Sequence, residues 1–328
     1  MKKGYFIYSR RNYHSWASYD LVHEWEDELA EYLPDSKLYL KKKIVLFRQN
    51  ICSFLEKKAK ILVDKFFLNG RDVFYFDMNP KLDANLLNIS NASVCIIDFY
   101  LKEDELHDFY KAYNKVRHLY VSSKEVYDYL LKNHPERTVE HLPLSLPDKY
   151  KLDVNTVFDK KYDLVLVGRQ NSVLMDFLKK YEESHLVNYV YRGDIDKGHF
   201  PYFTNKGEFI GYIDSRKDYF DILKKAKAVF YATPGIDGDE KRTNGFSQVT
   251  PRLFEFLSCG CHIIARYRKN SDTLFFSLDD MTSKVDSYGE FEKAMDMVMN
   301  TPVDLNKYSE YLSQFYTSTV ANKLNMKN

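Results

Sequence analysis

The sequence predicts an α/β protein of two domains, each with a parallel sheet, and three observations carry that prediction. Short β-rich runs alternate with longer amphipathic segments through most of the chain, the pattern of strand-helix-strand units. A polar stretch with two prolines, 141–161, interrupts that alternation near mid-chain and suits a linker better than an element. The length of 328 residues fits about two domains at roughly 150 residues each.

In the first half, strands are read at 5–8, 73–76, 93–97 and 118–121, with a short one at 139–142. Leu21, Trp25, Leu29 and Leu33 recur every four residues, which gives a helix over 20–33 one apolar stripe. A longer helical stretch, 44–67, stops at Asn69-Gly70, and Ser122 or Ser123 is placed to cap a helix over 123–130. The second half opens with a buried-strand pattern, 162–167, that ends in Gly168-Arg169 and leads into a helix at 174–181. Strands at 186–191 and 207–212, a helix at 216–227, a strand at 228–232, a helix at 251–258 and a strand at 262–265 follow.

Composition removes several classes of function. Lys+Arg number 48 and Asp+Glu 47, so the net charge of +1 supplies no field for gripping nucleic acid, and any phosphate contact must be local. Apolar residues at 45% and charged residues at 29% are ordinary for a folded chain. The 27 Tyr and 23 Phe suit cores and carbohydrate clefts alike. Cys52, Cys95, Cys259 and Cys261 are too few and too poorly spaced for a disulfide framework or a four-thiolate zinc site. The opening apolar run is shorter than a signal h-region, and no window offers about 18 uninterrupted apolar residues. A cytoplasmic protein is expected, working at most at the inner face of the cell membrane.

The chemistry concentrates in 231–265, a strand, a glycine-containing polar loop, a helix and a strand. Such a loop lies at the carboxyl end of a parallel sheet, where open α/β folds place ligands. Thr250 is placed to cap the helix and Pro251 to fill its first turn, which would present free N–H groups and the positive dipole end to an anion. Arg252 adds a planar donor fork, and Lys241 and Arg242 add charge from the loop. Glu255, three residues after Arg252, shares its helix face and is a candidate acceptor for two ribose hydroxyls. The competing reading is an ordinary capped helix with a surface Arg-Glu pair.

These residues carry a resemblance. The segments 209–226, Thr233-Pro234-Gly235 and 244–267 resemble the donor-binding half of bacterial family-1-type glycosyltransferases, of GT-B architecture with two facing Rossmann-like domains. The likeness covers about 160–320, including 288–297 and 315–319, and is weaker at 119–147. It implies an acceptor-binding domain at 1–152, a nucleotide-sugar donor domain at 153–308 and a C-terminal helix at 309–328 packing back toward the first domain. It also implies that Glu255 binds ribose and that Thr250, Arg252 and Arg169 face the diphosphate. Thr233, Pro234 and Gly235 would line the donor cleft, and Arg242, Asn244 and Gly245 would shape the loop over the donor sugar. Many retaining members carry a second Glu where Ser247 stands here, and a Lys where Leu174 stands. The implied partners are a nucleotide-diphosphate sugar, which is substrate rather than cofactor, and a glycan or lipid-linked glycan acceptor of a bacterial surface polysaccharide. A GT-B nucleotide-sugar epimerase and a non-catalytic nucleotide-sugar or glycan binder are the alternatives.

An inverting transfer needs a general base, and the candidates are His14, in the loop after the first strand with Tyr13, Trp16 and Tyr19 beside it, and Asp98. Other features take plainer readings. Cys259-Gly260-Cys261 with His262 lacks a second ligand cluster, and Asp237-Gly238-Asp239 lacks the rest of a calcium loop, so no metal is expected. Gly168-Arg169-Gln170-Asn171-Ser172 lacks the later glycines of a dinucleotide fingerprint. Lys41-Lys42-Lys43 reads as a solvated helix face, with contact to an anionic bilayer as its alternative.

Overall fold

The structure is a computed structural model, and it describes residues 5–12, 17–40, 68, 71–80, 91–134 and 138–326. The chain divides into two compact units, one formed by residues up to Pro147 together with those from Thr317 onward, the other by Asp148–Tyr316.

The first unit is built on strands β1 (Phe6–Ser9), β2 (Lys37–Leu40), β3 (Val73–Asp77), β4 (Ala92–Ile96), β5 (His118–Val121) and β6 (Glu140–His141), in the order β2-β1-β3-β4-β5-β6. Each neighbouring pair is parallel. A parallel sheet is covered on both faces, which is why β4 is buried at every residue and β3 at all but one. The helix α1 (Ala17–Tyr32) uses the predicted stripe, with Leu21, Trp25 and Leu29 buried, and Leu33 buried just beyond its end. Trp25 Nε1 donates to the Ser145 carbonyl at 2.9 Å. The helices α2 (Leu106–Ala112) and α3 (Lys124–Asn133) follow, and Ser123 caps α3 by accepting from the Val126 N–H. The terminal helix Thr317–Met326 adds Val320, Ala321 and Leu324 to the core around Ile7, Leu29, Leu33 and Phe74. The predicted helix 44–67 lies outside the described residues.

The second unit carries β7 (Tyr162–Leu166), β8 (Tyr189–Arg192), β9 (Pro201–Thr204), β10 (Phe209–Tyr212), β11 (Ala226–Ala232), β12 (His262–Arg266) and β13 (Ser283–Lys284), in the order β10-β9-β8-β7-β11-β12-β13. Its pairs are parallel from β8 to β13, whereas β8-β9 and β9-β10 are antiparallel. The sheet is therefore not wholly parallel, because β9 turns back on β8 after a short polar excursion. Its longer helices are α4 (Ser172–Glu182), α5 (Arg216–Leu223), α6 (Arg252–Ser258), α7 (Tyr288–Asn300) and α8 (Leu305–Ser313). Asn171, Ser215 and Ser287 cap α4, α5 and α7 with their side chains. The helix expected over 216–227 stops at Leu223, since Ala226 already pairs with Tyr162 in the sheet. Leu164, Leu166, Leu174, Phe230, Ile264, Phe291 and Met295 form one buried core between sheet and helices.

Candidate functional site

In the second unit the strand order reverses between β7 and β11, and the turns after those strands frame a crevice at the carboxyl edge of the sheet. After β7 the chain turns at Gly168, whose φ of +71° favours glycine. A Cβ placed there would lie 3.3 Å from Arg252 Nη1, so the Arg252 guanidinium rests against this turn. Burial pushes the Tyr202 phenol up, against its hydrogen bond to the Gly168 backbone and the charges of Arg192 and Arg252. Neither Arg252 nor Arg169 has an ion-pair partner among the described residues. A half-buried guanidinium without a counter-charge, beside a tight glycine turn, is a place for an anion.

The start of α6 differs from the expected cap. Pro251 is its N-cap residue and no side chain caps it. Thr250 instead donates its N–H to the Tyr231 hydroxyl at 2.9 Å. The N–H groups of Leu253, Phe254 and Glu255 are already spent on the carbonyls of Thr250 and Pro251. A tightened first turn has taken these three of the donors expected to face an anion, which shifts the anion-binding role toward the arginine side chains.

Glu255 is brought to the same region but is not idle. Its carboxylate, 3% exposed, accepts from Arg216 Nη1 at 2.6 Å and from the Tyr219 hydroxyl at 2.9 Å. Arg216 in turn lies over the rings of Tyr150, Tyr219 and Phe220 at 5.0 to 5.6 Å, and Tyr150 stacks on Phe220 at 3.8 Å. Burial and the neighbouring Glu255 carboxylate hold the Tyr219 phenol well above its ordinary range. Sequence reasoning missed Arg216 and Tyr219. The available signal was an Arg at the first helical position after a strand that ends on the ligand side of the sheet.

The loop after β11 is fixed internally. Gly235 has φ +80°, and a Cβ there would meet the Phe246 carbonyl at 2.2 Å and Thr243 Oγ1 at 2.3 Å. Its N–H donates to Asp239, which also pairs with Arg242 through Nε at 2.7 Å. Arg242 therefore braces the turn. Asn244 and Gly245 both take positive φ, and Arg268 donates to the Gly245 carbonyl. Asp237 accepts from Arg266 at 2.6 and 2.7 Å and from Asn171 at 2.8 Å, tying this loop to the cap of α4. Thr233 and Ser247 share a buried hydroxyl-hydroxyl bond of 2.8 Å. Ser247 is thus fully buried and engaged with Thr233 rather than exposed in the crevice.

Cys259 and Cys261 are fully buried thiols that burial pushes up, and His262 bonds the Thr301 carbonyl. Among the described residues no group of three or more His, Cys, Asp or Glu is arranged to hold a metal ion.

The first unit has its own crevice at the reversal between β1 and β3. Arg10 Nη1 pairs with Asp77 at 3.1 Å, and the Tyr113 hydroxyl donates to the other Asp77 oxygen at 3.0 Å. Asp98 follows β4, and its N–H donates to the Met78 carbonyl at 2.8 Å. His14, Tyr13 and Trp16 lie outside the described residues, as do Lys41, Lys42 and Lys43.

No family model matches the sequence, and no curated protein matches it either. Solved structures do. Sucrose-phosphate synthase from Thermosynechococcus elongatus matches over 99% of this chain and 98% of its own, with a TM-score of 0.60 at 11% identity. Alr3699/HepE from Anabaena, solved with UDP-glucose, matches over 99% of both chains, with a TM-score of 0.60 at 8% identity. The chain has the GT-B fold. A putative UDP-N-acetylglucosamine 2-epimerase from Listeria monocytogenes also shares the GT-B fold, over 99% of this chain and 95% of its own, with a TM-score of 0.55 at 8% identity. Among the described residues no helix is long and apolar enough to cross a membrane.

Proposed function

We propose that the protein is a glycosyltransferase that moves a sugar from a nucleotide-diphosphate donor to a hydroxyl of a bacterial surface glycan or its lipid-linked precursor. The observation that carries this reading is Arg252, without an ion-pair partner among the described residues, resting with Arg169 beside it at the Gly168 turn where the sheet of the second unit opens. That charge suits a diphosphate, and the GT-B neighbour solved with UDP-glucose agrees in ligand class. Glu255, held by Arg216 and Tyr219, offers its remaining lone pairs to ribose hydroxyls. Thr233, Pro234, Gly235, Asn244 and Gly245 line the sugar end, and Arg242 keeps that loop in shape.

In this mechanism the bond between the anomeric carbon and the diphosphate oxygen breaks as the acceptor oxygen bonds to that carbon. Arg252 and Arg169 stabilise the charge that grows on the departing diphosphate, which lets the reaction run without a metal ion. The acceptor is held by the first unit, whose crevice carries Arg10, Asp77 and, nearby, the candidate base Asp98. His14, in the sequence just after the first strand, is the other candidate.

A thermal-shift screen against UDP, GDP, CDP, ADP, dTDP and their common sugar conjugates, with and without a chelator, tests the reading. One nucleotide raises the melting temperature, the chelator leaves that shift intact, and Arg252→Ala removes it. Absence of any shift at saturating nucleotide refutes a donor site. The epimerase neighbour makes a second reading concrete: incubation with the selected nucleotide sugar alone yields its isomer if the protein is an epimerase and none if it is a transferase.

A further inference from the structure

The crevice of the first unit, at the carboxyl ends of β1 and β3, is lined by Arg10, Tyr19, His23, Glu26 and Asp77 over an apolar floor of Val22 and Phe76. Its two carboxylates have different surroundings. Both oxygens of Asp77 are engaged, by Arg10 and by Tyr113. Glu26, on α1 and 3% exposed, has no hydrogen-bond partner at Oε2 among the described residues. Arg11 Nη2 stands 3.5 Å from that oxygen, an ion pair longer than its contacts to other groups. Its guanidinium forks onto Asp27 at 2.7 and 3.2 Å and also donates to the His23 carbonyl at 3.1 Å.

We propose that Glu26 is the proton acceptor for the hydroxyl of a carbohydrate bound in this crevice. The inference rests on the glycosyl-transfer reading above. An acceptor hydroxyl that enters between α1 and the ends of β1 and β3 meets Oε2 as a lone pair without a donor, next to the Arg10-Asp77 pair, which can orient neighbouring hydroxyls. The O–H bond breaks, and its proton goes to Glu26. The acceptor oxygen bonds to the anomeric carbon, and the bond from that carbon to the diphosphate breaks with its electron pair on the leaving group. Glu26 then returns the proton to water. This is a single displacement, so the transferred sugar changes anomeric configuration.

The electrostatics suit the task. Burial lifts the Glu26 carboxyl to about 7, outweighing the Ser9 hydrogen bond and both the charge and the long, 3.5 Å approach of Arg11, while Asp27 adds to the rise. The other charged or titratable groups facing it are Arg10 from the end of β1, Asp77 from β3, and Tyr19 and His23 on α1 itself.

The test compares wild type with Glu26→Gln, Glu26→Asp and Asp98→Asn. The assay uses the nucleotide sugar selected by the thermal-shift screen and a panel of methyl glucosides, galactosides, mannosides and N-acetylglucosaminides. Nucleotide release and the configuration of the transferred sugar are followed. Wild-type kcat/KM rises with pH through about 7 to a plateau, and the product is inverted. Glu26→Gln lowers kcat by about 10²-fold or more and abolishes that limb, and its nucleotide-induced thermal shift is kept. Glu26→Asp retains part of the rate with the limb displaced. A Glu26→Gln enzyme within threefold of wild type, a retained configuration, or loss of the limb in Asp98→Asn alone overturns the assignment but leaves glycosyl transfer intact. Isomerisation of the donor, or no turnover by wild type with any sugar, overturns the transferase reading and this inference together.

Discussion

The Arg216-Glu255 pair makes a quantitative claim about the second unit. In Arg216→Ala the Glu255 carboxylate, 3% exposed, keeps only the Tyr219 hydroxyl as a side-chain donor among the described residues, at 2.9 Å. Removing one member of a buried ion pair costs about 3 to 5 kcal/mol, because the other charge is left without compensation. The surviving Tyr219 bond and the 16% exposure of Arg216 place this case at the low end, about 3 kcal/mol. For a unit of this size that is a drop in melting temperature of about 6 to 12 °C. Differential scanning calorimetry of wild type, Arg216→Ala, Glu255→Gln and the double variant reads the pair as a coupling energy, which should exceed about 1.5 kcal/mol. A drop below about 2 °C with coupling near zero would mean that solvent screens the pair. Arg216 would then not hold the Glu255 carboxylate in place, and a buried, pre-positioned ribose acceptor would be refuted.

Glycines that share a sign of φ should respond differently to alanine. Gly235→Ala drives a Cβ into the Phe246 carbonyl and should lose at least about 3 kcal/mol, whereas Gly245→Ala meets nothing within 4 Å and should lose only about 1 kcal/mol, both read by urea unfolding. Two groups in the first unit give stability opposite pH slopes. His141, whose Nε2 bonds the Ser122 carbonyl, is held down at about 4 by burial, so the unfolded chain takes up the proton first. Stability falls as pH drops from about 6.5 toward 4, by on the order of 3 kcal/mol, and His141→Gln should flatten that fall. Glu26 runs the other way, since its folded form holds the proton up to about 7. Stability falls as pH rises from about 4.5 through 7, and Glu26→Gln should remove that slope and gain on the order of 3 kcal/mol at pH 8. Glu255→Ala should weaken nucleotide binding by on the order of 1 to 3 kcal/mol through lost ribose hydrogen bonds, and unchanged affinity in a folded variant would refute the ribose role.

Most of the sheet framework was legible because doubly covered strands read as unbroken apolar runs, as in Leu164–Val167 and Ile263–Ala265, which are buried throughout. Short outlying strands were not. Lys37–Leu40 alternates without a buried residue, and Pro201–Thr204 follows a turn-rich stretch that reads as loop. On the donor side Glu255 and Arg252 were visible from local helix-start chemistry. What engages Glu255 was not, since Arg216 lies 39 positions away and no local pattern links the two. The Thr250 cap failed for a similar reason, because both its N–H and its hydroxyl are directed to the distant Tyr231 hydroxyl, at 2.9 and 3.5 Å, and Pro251 is the cap residue. Asp77 and Glu26 carry no sequence signature. Their importance comes from burial beside the reversal of strand order, which only the folded chain creates.

The route of the backbone also has a consequence for biosynthesis. Val320, Ala321 and Leu324 fill the core of the first unit, and Thr317 donates its N–H to the Leu146 carbonyl. The segment that closes this core is thus synthesised after every residue of the second unit. A nascent chain leaving the ribosome can complete Asp148–Tyr316 as a contiguous whole while the earlier half still shows an uncovered apolar face. The half that is translated first is finished last, so premature stops upstream of Thr317 should yield chains dependent on chaperones even though they contain the second unit entire.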